Sequence, residues 1–184
     1  MTTARMPARP AAPDAVATEP ATPGAARGGK FLSFFLAGEE YGLEILKVHE
    51  IIGMMPVTWV PRTPEFVRGV INLRGKIIPI VDLRRKFGMA QADVPETCMI
   101  VVQLEGVQMG IVVDRVSEVV TIPGADVEPV PPFGASVNTD FLLGIAKTNG
   151  CVRLLLDIER VLSTEEVSSL STVMSIAAES ETTE

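Results

Sequence analysis

The chain has 184 residues, 47% apolar but only 5% aromatic, enough for one compact domain or two small ones sharing a core of Val, Ile and Leu, which favour strands. Net charge is −7; the first thirty residues carry +2 and the remainder −9, and such an acidic body excludes a phosphate-backbone reader, so no nucleic-acid partner is expected. No run reaches the ~18 apolar residues of a membrane span and the start has no apolar signal segment, so the protein is expected to be cytoplasmic, without direct membrane insertion.

Residues 1–29 hold five prolines, nine alanines and no aromatic, and are expected to be a disordered tail. Order begins at Lys30. A strand over 31–36 turns at 37–40; a second follows over 41–45 and a third over 47–52. A short strand at 57–60 ends on Pro61. Strands over 66–73 and 76–82 flank Arg74-Gly75, and a polar linker covers 89–96. The pattern then restarts, with strands over 97–104, 107–113 and 117–122 and a Pro-rich loop over 123–134. Strands over 140–148 and 151–157 flank Asn149-Gly150, a hairpin signal because both turn residues must reach positive φ. Helical spacing closes the chain over 158–178. Thr164 is placed to cap a last helix over 164–178, with Glu165 and Glu166 favourable in its first turn, and 179–184 is expected to be a disordered end.

The two halves repeat one another. A shift of 68 places Leu36, Gly38, Gly42, Val48 and Glu50 on Leu104, Gly106, Gly110, Val116 and Glu118. A shift of 75 places Gly69, Gly75, Asp82 and Arg85 on Gly144, Gly150, Asp157 and Arg160, the difference falling in the Pro-rich loop. The fold class is therefore mainly β: two five-stranded units, each closed into a barrel to remove its edges, with short helices and a C-terminal helix. The first barrel is expected mainly over 30–90 and the second mainly over 97–157, with possible strand exchange at the junction.

Chemistry is hard to place on these residues. His49 is the only histidine and reads as a surface residue on a strand. Cys98 and Cys151 are isolated and read as buried small hydrophobes. No metal set, phosphate loop or dinucleotide fingerprint is present, so no enzyme activity, cofactor or metal is expected. Glu39-Glu40 reads as a solvated turn pair. Asp82 and Asp157 recur at a strand end before a helical turn and read as caps of the following N–H groups. What remains is a binding module. Val48 beside Glu50, and Arg74 at a glycine-flanked turn, are candidate contacts, although Arg74 alone reads as a solvated hairpin tip.

The segments FLSFFLAGEEYGLEILKVHEII (31–52), PRTPEFVRGVINLRG (61–75), IIPIVDLRRKFG (77–88) and GIVVDRVSEVV (110–120) closely resemble the CheW family of bacterial chemotaxis coupling proteins, over about residues 31–165. The resemblance implies two SH3-like five-stranded barrels packed together in a domain over 30–166. It implies a non-enzymatic adaptor between the cytoplasmic tips of chemoreceptors and the regulatory domain of the histidine kinase CheA, recruited to receptor arrays, with other CheW copies as possible neighbours in rings. It also implies receptor contacts at Leu32, Ile45, Val48, Glu50, Ile51, Gly69 and Arg74, and so turns Arg74 from ornament into contact. Kinase-facing residues are not assigned. A same-fold adaptor in another receptor–kinase pathway, such as twitching motility or surface sensing, is the alternative. His49 stands where the family often has Gln, and Met54-Met55 is more apolar than usual.

Overall fold

The computed structural model describes residues 28–134 and 138–180. Most of the tail and of the terminal segment, on which disorder is expected, lies outside the described residues. The first half contains β1 (Gly29–Leu36), β2 (Glu39–Glu44), a 3-10 turn (Ile45–Lys47), β3 (Val48–Gly53), β4 (Val67–Leu73), β5 (Lys76–Asp82) and α1 (Leu83–Lys86). The second contains β6 (Cys98–Leu104), β7 (Val107–Val113), β8 (Arg115–Ile122), β9 (Val127–Glu128), β10 (Leu142–Thr148), β11 (Cys151–Leu156), α2 (Ile158–Val161) and α3 (Thr164–Ser180). The segment expected as a strand at 57–60 makes only an isolated bridge, Thr58 to Val70.

One sheet runs β3-β6-β7-β5-β4 and the other β8-β1-β2-β11-β10-β9. Under the internal repeat, β3, β6, β7, β5 and β4 correspond in order to β8, β1, β2, β11 and β10. The sheets are thus two copies of one unit that have exchanged their hairpins. β1–β2 joins the second-half strands through the parallel pair β2–β11, and β6–β7 joins the first-half strands through the parallel pair β5–β7. The strand exchange allowed for at the junction is present, and it moves the barrels off the limits of mainly 30–90 and mainly 97–157. One barrel is built from 48–113, and the other joins 29–44 to 115–156. Because the hairpins are near-equivalent, the repeat alone cannot tell which half each completes.

Two repeat glycines sit at the exchange. A Cβ on Gly42 would lie 2.7 Å from Leu155 Cδ2, and one on Gly110 would lie 2.6 Å from Ile80 Cδ1. Leu155 and Ile80 are their parallel-strand partners, so each glycine clears room for the neighbour's side chain.

Burial follows from this topology. Ile71, Ile78, Ile80, Met99, Val101 and Val112 fill one barrel; Phe31, Ile122, Val127, Ala146 and Leu155 fill the other. Between them lies a larger core that includes Leu32, Phe34, Leu36, Ile100, Val102 and Leu104, and under α3 Val167 and Leu170. β1 and β6 are consequently buried on both faces: Phe31 and Met99 face the barrels, Leu32 and Ile100 the shared core. Phe34, Tyr41, Phe87 and Phe141 stack in series through this core, with centroids 5.8, 6.1 and 5.2 Å apart.

Polar groups at the junction are paired. Glu40 is no solvated turn residue: it accepts from the buried Arg153 Nε at 2.7 Å and from Ser33 Oγ. Arg84 Nε donates to Asp114 Oδ1 at 2.7 Å, and Asp114 Oδ2 accepts from the Ala37 amide at 2.9 Å. Asp82 caps α1 by accepting from the Arg84 and Arg85 amides, and Asp157 caps α2 through the Glu159 amide. At α3 the cap is Ser163 rather than Thr164. The Glu166 amide donates to Ser163 Oγ at 3.2 Å, and the Ser163 amide donates to Glu166 Oε2 at 2.7 Å, a reciprocal capping box. Cys98 is half-buried but Cys151 is exposed, against the expectation for both thiols.

Candidate functional site

The β4–β5 turn is built by Arg74 at φ 52° and Gly75 at φ 85°, the left-handed pair that a two-residue hairpin turn requires. Asn72 Oδ1 steadies it by accepting from the Gly75 amide at 2.9 Å. β3 approaches the same place from the opposite edge of the sheet. A bulge between Val48 and Glu50 re-aims its side chains. The result is a bidentate pair: Arg74 Nη1 and Nη2 donate to Glu50 Oε1 and Oε2, each at 2.7 Å. These hydrogen bonds from Arg74 are the main reason that the Glu50 carboxyl lies below its ordinary range. The planar fork on a carboxylate fixes both side chains at an otherwise open surface.

Four of the expected contact residues gather on β3 and this turn. Val48 is half-buried on the shared core, Glu50 and Arg74 form the ion pair, and Ile51 is 46% exposed. Ile45, in the 3-10 turn before β3, is half-buried against the same core. Two others are elsewhere in kind. Leu32 is 2% exposed inside the shared core. Gly69 is buried at φ 139°, with room for a Cβ blocked by the Thr58 backbone. Leu32 and Gly69 hold the surface in place and do not offer a side chain to a partner, which corrects their assignment as direct contacts.

Sequence reasoning missed several exposed apolar residues. Leu46 projects from the 3-10 turn at 94% exposure, and Trp59 is 70% exposed in the segment between β3 and β4. Val119 is exposed on β8, opposite Leu32 of β1. Each lies in an apolar run, and only the topology separates its outward side chain from its inward neighbours. His49 is exposed, as read from the sequence. Among the described residues no group of three or more His, Cys, Asp or Glu could hold a metal ion. No helix there is long and apolar enough to cross a membrane.

Paired barrels with exchanged hairpins, and an ordered ion pair set among apolar residues, define a binding scaffold. A CheW-like domain model matches residues 30–166, and the chain belongs to the CheW family. The Chemotaxis protein CheW of Klebsiella aerogenes is 42% identical over 147 residues, 79% of this chain and 89% of that protein. Protein FrzA of Myxococcus xanthus is 32% identical over 122 residues, 66% of this chain and 76% of that protein. The crystal structure of the scaffolding protein TtCheW from Thermoanaerobacter tengcongensis superposes with a TM-score of 0.68 at 38% identity, covering 76% of this chain and 95% of that one. Membership of this family makes the protein a non-enzymatic member of chemotaxis signalling.

Proposed function

We propose that this protein couples the cytoplasmic tips of chemoreceptors to the histidine kinase CheA, working in the cytoplasm and recruited to membrane receptor arrays through its partners. The carrying observation is the Glu50–Arg74 pair, each hydrogen bond 2.7 Å, on the same strand as the exposed Ile51, which is turned to the other face with Val48. An exposed apolar side chain on a strand edge with a fixed charged pair next to it suits an amphipathic helical hairpin, the helix-in-groove mode of recognition. The direct receptor contacts in this reading are Ile45, Val48, Glu50, Ile51 and Arg74, with Leu32 and Gly69 supporting them from within.

Coupling by such a protein needs no bond chemistry. Holding receptor and the kinase regulatory domain at once raises their local concentration, and a difference in affinity between receptor states biases the kinase. Further copies of the chain, each contacting neighbours through its barrels, extend the array into rings. Similarity to a relative not named CheW favours a second reading, the same adaptor role in another receptor–kinase pathway.

The test is co-sedimentation with membranes carrying the cognate receptor. Arg74→Glu and Ile51→Asp should each reduce retention at least tenfold while circular dichroism stays native. Retention equal to wild type in both would discard this surface as the receptor site.

A further inference from the structure

A second surface, apart from the Glu50–Arg74 pair, lies on the barrel built from 48–113. Trp59, Pro64, Glu65, Arg85 and Met89 are among the residues lining an open groove of about 770 Å³. Trp59 is the single tryptophan of the chain and stands 70% exposed. The Arg85 guanidinium is occupied, donating to the Glu65 carbonyl at 2.9 Å and to Gln91 Oε1. Both partners are neutral, so Arg85 keeps its charge; the groove presents that base together with the exposed Glu65 carboxylate, which has no salt bridge among the described residues and is the group that can take a cation.

The chain carries a ligand of matching chemistry. Pro7, Pro10 and Pro13 recur every third residue, with Arg5 and Arg9 beside them. A polyproline II helix has three residues per turn, so that spacing would put all three prolines on one face and leave the arginines to reach an acid. Proline rings against an exposed indole, with a cation on a nearby carboxylate, is a recurrent mode of peptide recognition.

Reach also permits the contact. The described chain begins at Gly28, fifteen residues after Pro13. Fifteen residues extend up to roughly 50 Å, whereas a compact domain of this size is roughly 40 Å across. A short tether gives an effective concentration on the order of 1 mM, so even a ~100 µM intrinsic affinity keeps about nine sites in ten filled. The +2 charge of the first thirty residues against the −9 body favours the same contact.

We infer that the segment from Arg5 to Asp14 docks intramolecularly in this groove, its prolines on Trp59 and an arginine on Glu65, as a self-ligand that any partner using this face must displace. The experiment is acrylamide quenching of Trp59 emission in the full chain, compared with Pro7→Ala/Pro10→Ala/Pro13→Ala and with Glu65→Arg. The wild type should emit at shorter wavelength and be quenched several-fold less than either variant. A synthetic peptide spanning 5–14 should restore protection to the triple variant and not to Glu65→Arg. Equal quenching in wild type and triple variant would overturn the inference, as would protection that persists in Glu65→Arg. Protection that grows with protein concentration would also overturn it, by assigning the groove to the tail of a second copy.

Discussion

Replacing Gly69 by alanine separates support of the binding surface from contact with a partner. The new Cβ would lie 2.0 Å from Thr58 O and 2.7 Å from the Thr58 carbonyl carbon, and backbone cannot swing away as a side-chain tip can. The Thr58–Val70 bridge must open, losing hydrogen bonds of 2.8 and 2.9 Å. Each is worth about 1 kcal/mol net. A non-glycine residue held at φ 139° adds roughly 1–3 kcal/mol of strain. The total, about 3–5 kcal/mol, is a large part of the 5–15 kcal/mol typical of a folded domain. With a urea slope of about 2 kcal/mol per molar, the unfolding midpoint should fall by about 2 M. Amide exchange should show Thr58 and Val70 losing protection before the strands of the shared core. A midpoint within about 0.3 M of wild type, with both amides still protected, would refute the reasoning and return Gly69 to the set of direct contacts.

Other consequences follow from the junction and the thiols. Arg153→Ala strands the Glu40 carboxylate in a nearly dry site and should cost about 3–5 kcal/mol by chemical denaturation, whereas Arg153→Met with Glu40→Leu should recover most of it. Burial by itself would raise the Asp114 carboxyl, but hydrogen bonds from Arg84 and the Ala37 amide outweigh it and hold the group below its ordinary 3.8. Glu166 is likewise pushed up by burial and pulled further down by Lys86 and the Ser163 amide, to below its ordinary 4.5. Both therefore stabilise the fold above their unfolded values, and that stability is lost as pH falls through the folded values. Melting temperature should drop from roughly pH 5 downward, and Asp114→Asn should be less stable at neutral pH and flatter on the acid side. Ser163→Ala should cost about 1 kcal/mol and fray α3, while Thr164→Ala should cost less, measured by urea melts. The exposed Cys151 should react with a thiol reagent far faster than Cys98, because burial raises the Cys98 pKa and covers it.

The sequence made the hairpins readable and their partners unreadable. Asn149-Gly150 adopts the positive φ that its residue types suggest, Arg74-Gly75 adopts the same turn with an arginine in place of asparagine, and the strands beside both fall within a residue or two of expectation. The parallel pairs that exchange the hairpins carry no local signal, because Ile80 meets Gly110 and Leu155 meets Gly42 only after the chain has crossed between halves. Glu40 and Arg153, 113 residues apart, were hidden for the same reason. Leu32 illustrates a limit of motif likeness: in a strand buried on both faces, a recurrent leucine is as well explained by packing as by contact. Ser163 was legible in principle, since Glu166 follows it at the three-residue spacing of a capping box, and the neighbouring threonine obscured it.

The coupling account is tested most directly by kinase autophosphorylation reconstituted from cognate receptor membranes, CheA and this protein. The exposed Glu50–Arg74 pair contributes little to stability, so Arg74→Glu should stay folded. The account predicts strong receptor-dependent stimulation by the wild type, lost in Arg74→Glu. Stimulation unchanged by Arg74→Glu would contradict the proposed surface, and no stimulation by the folded wild type would contradict the coupling role itself.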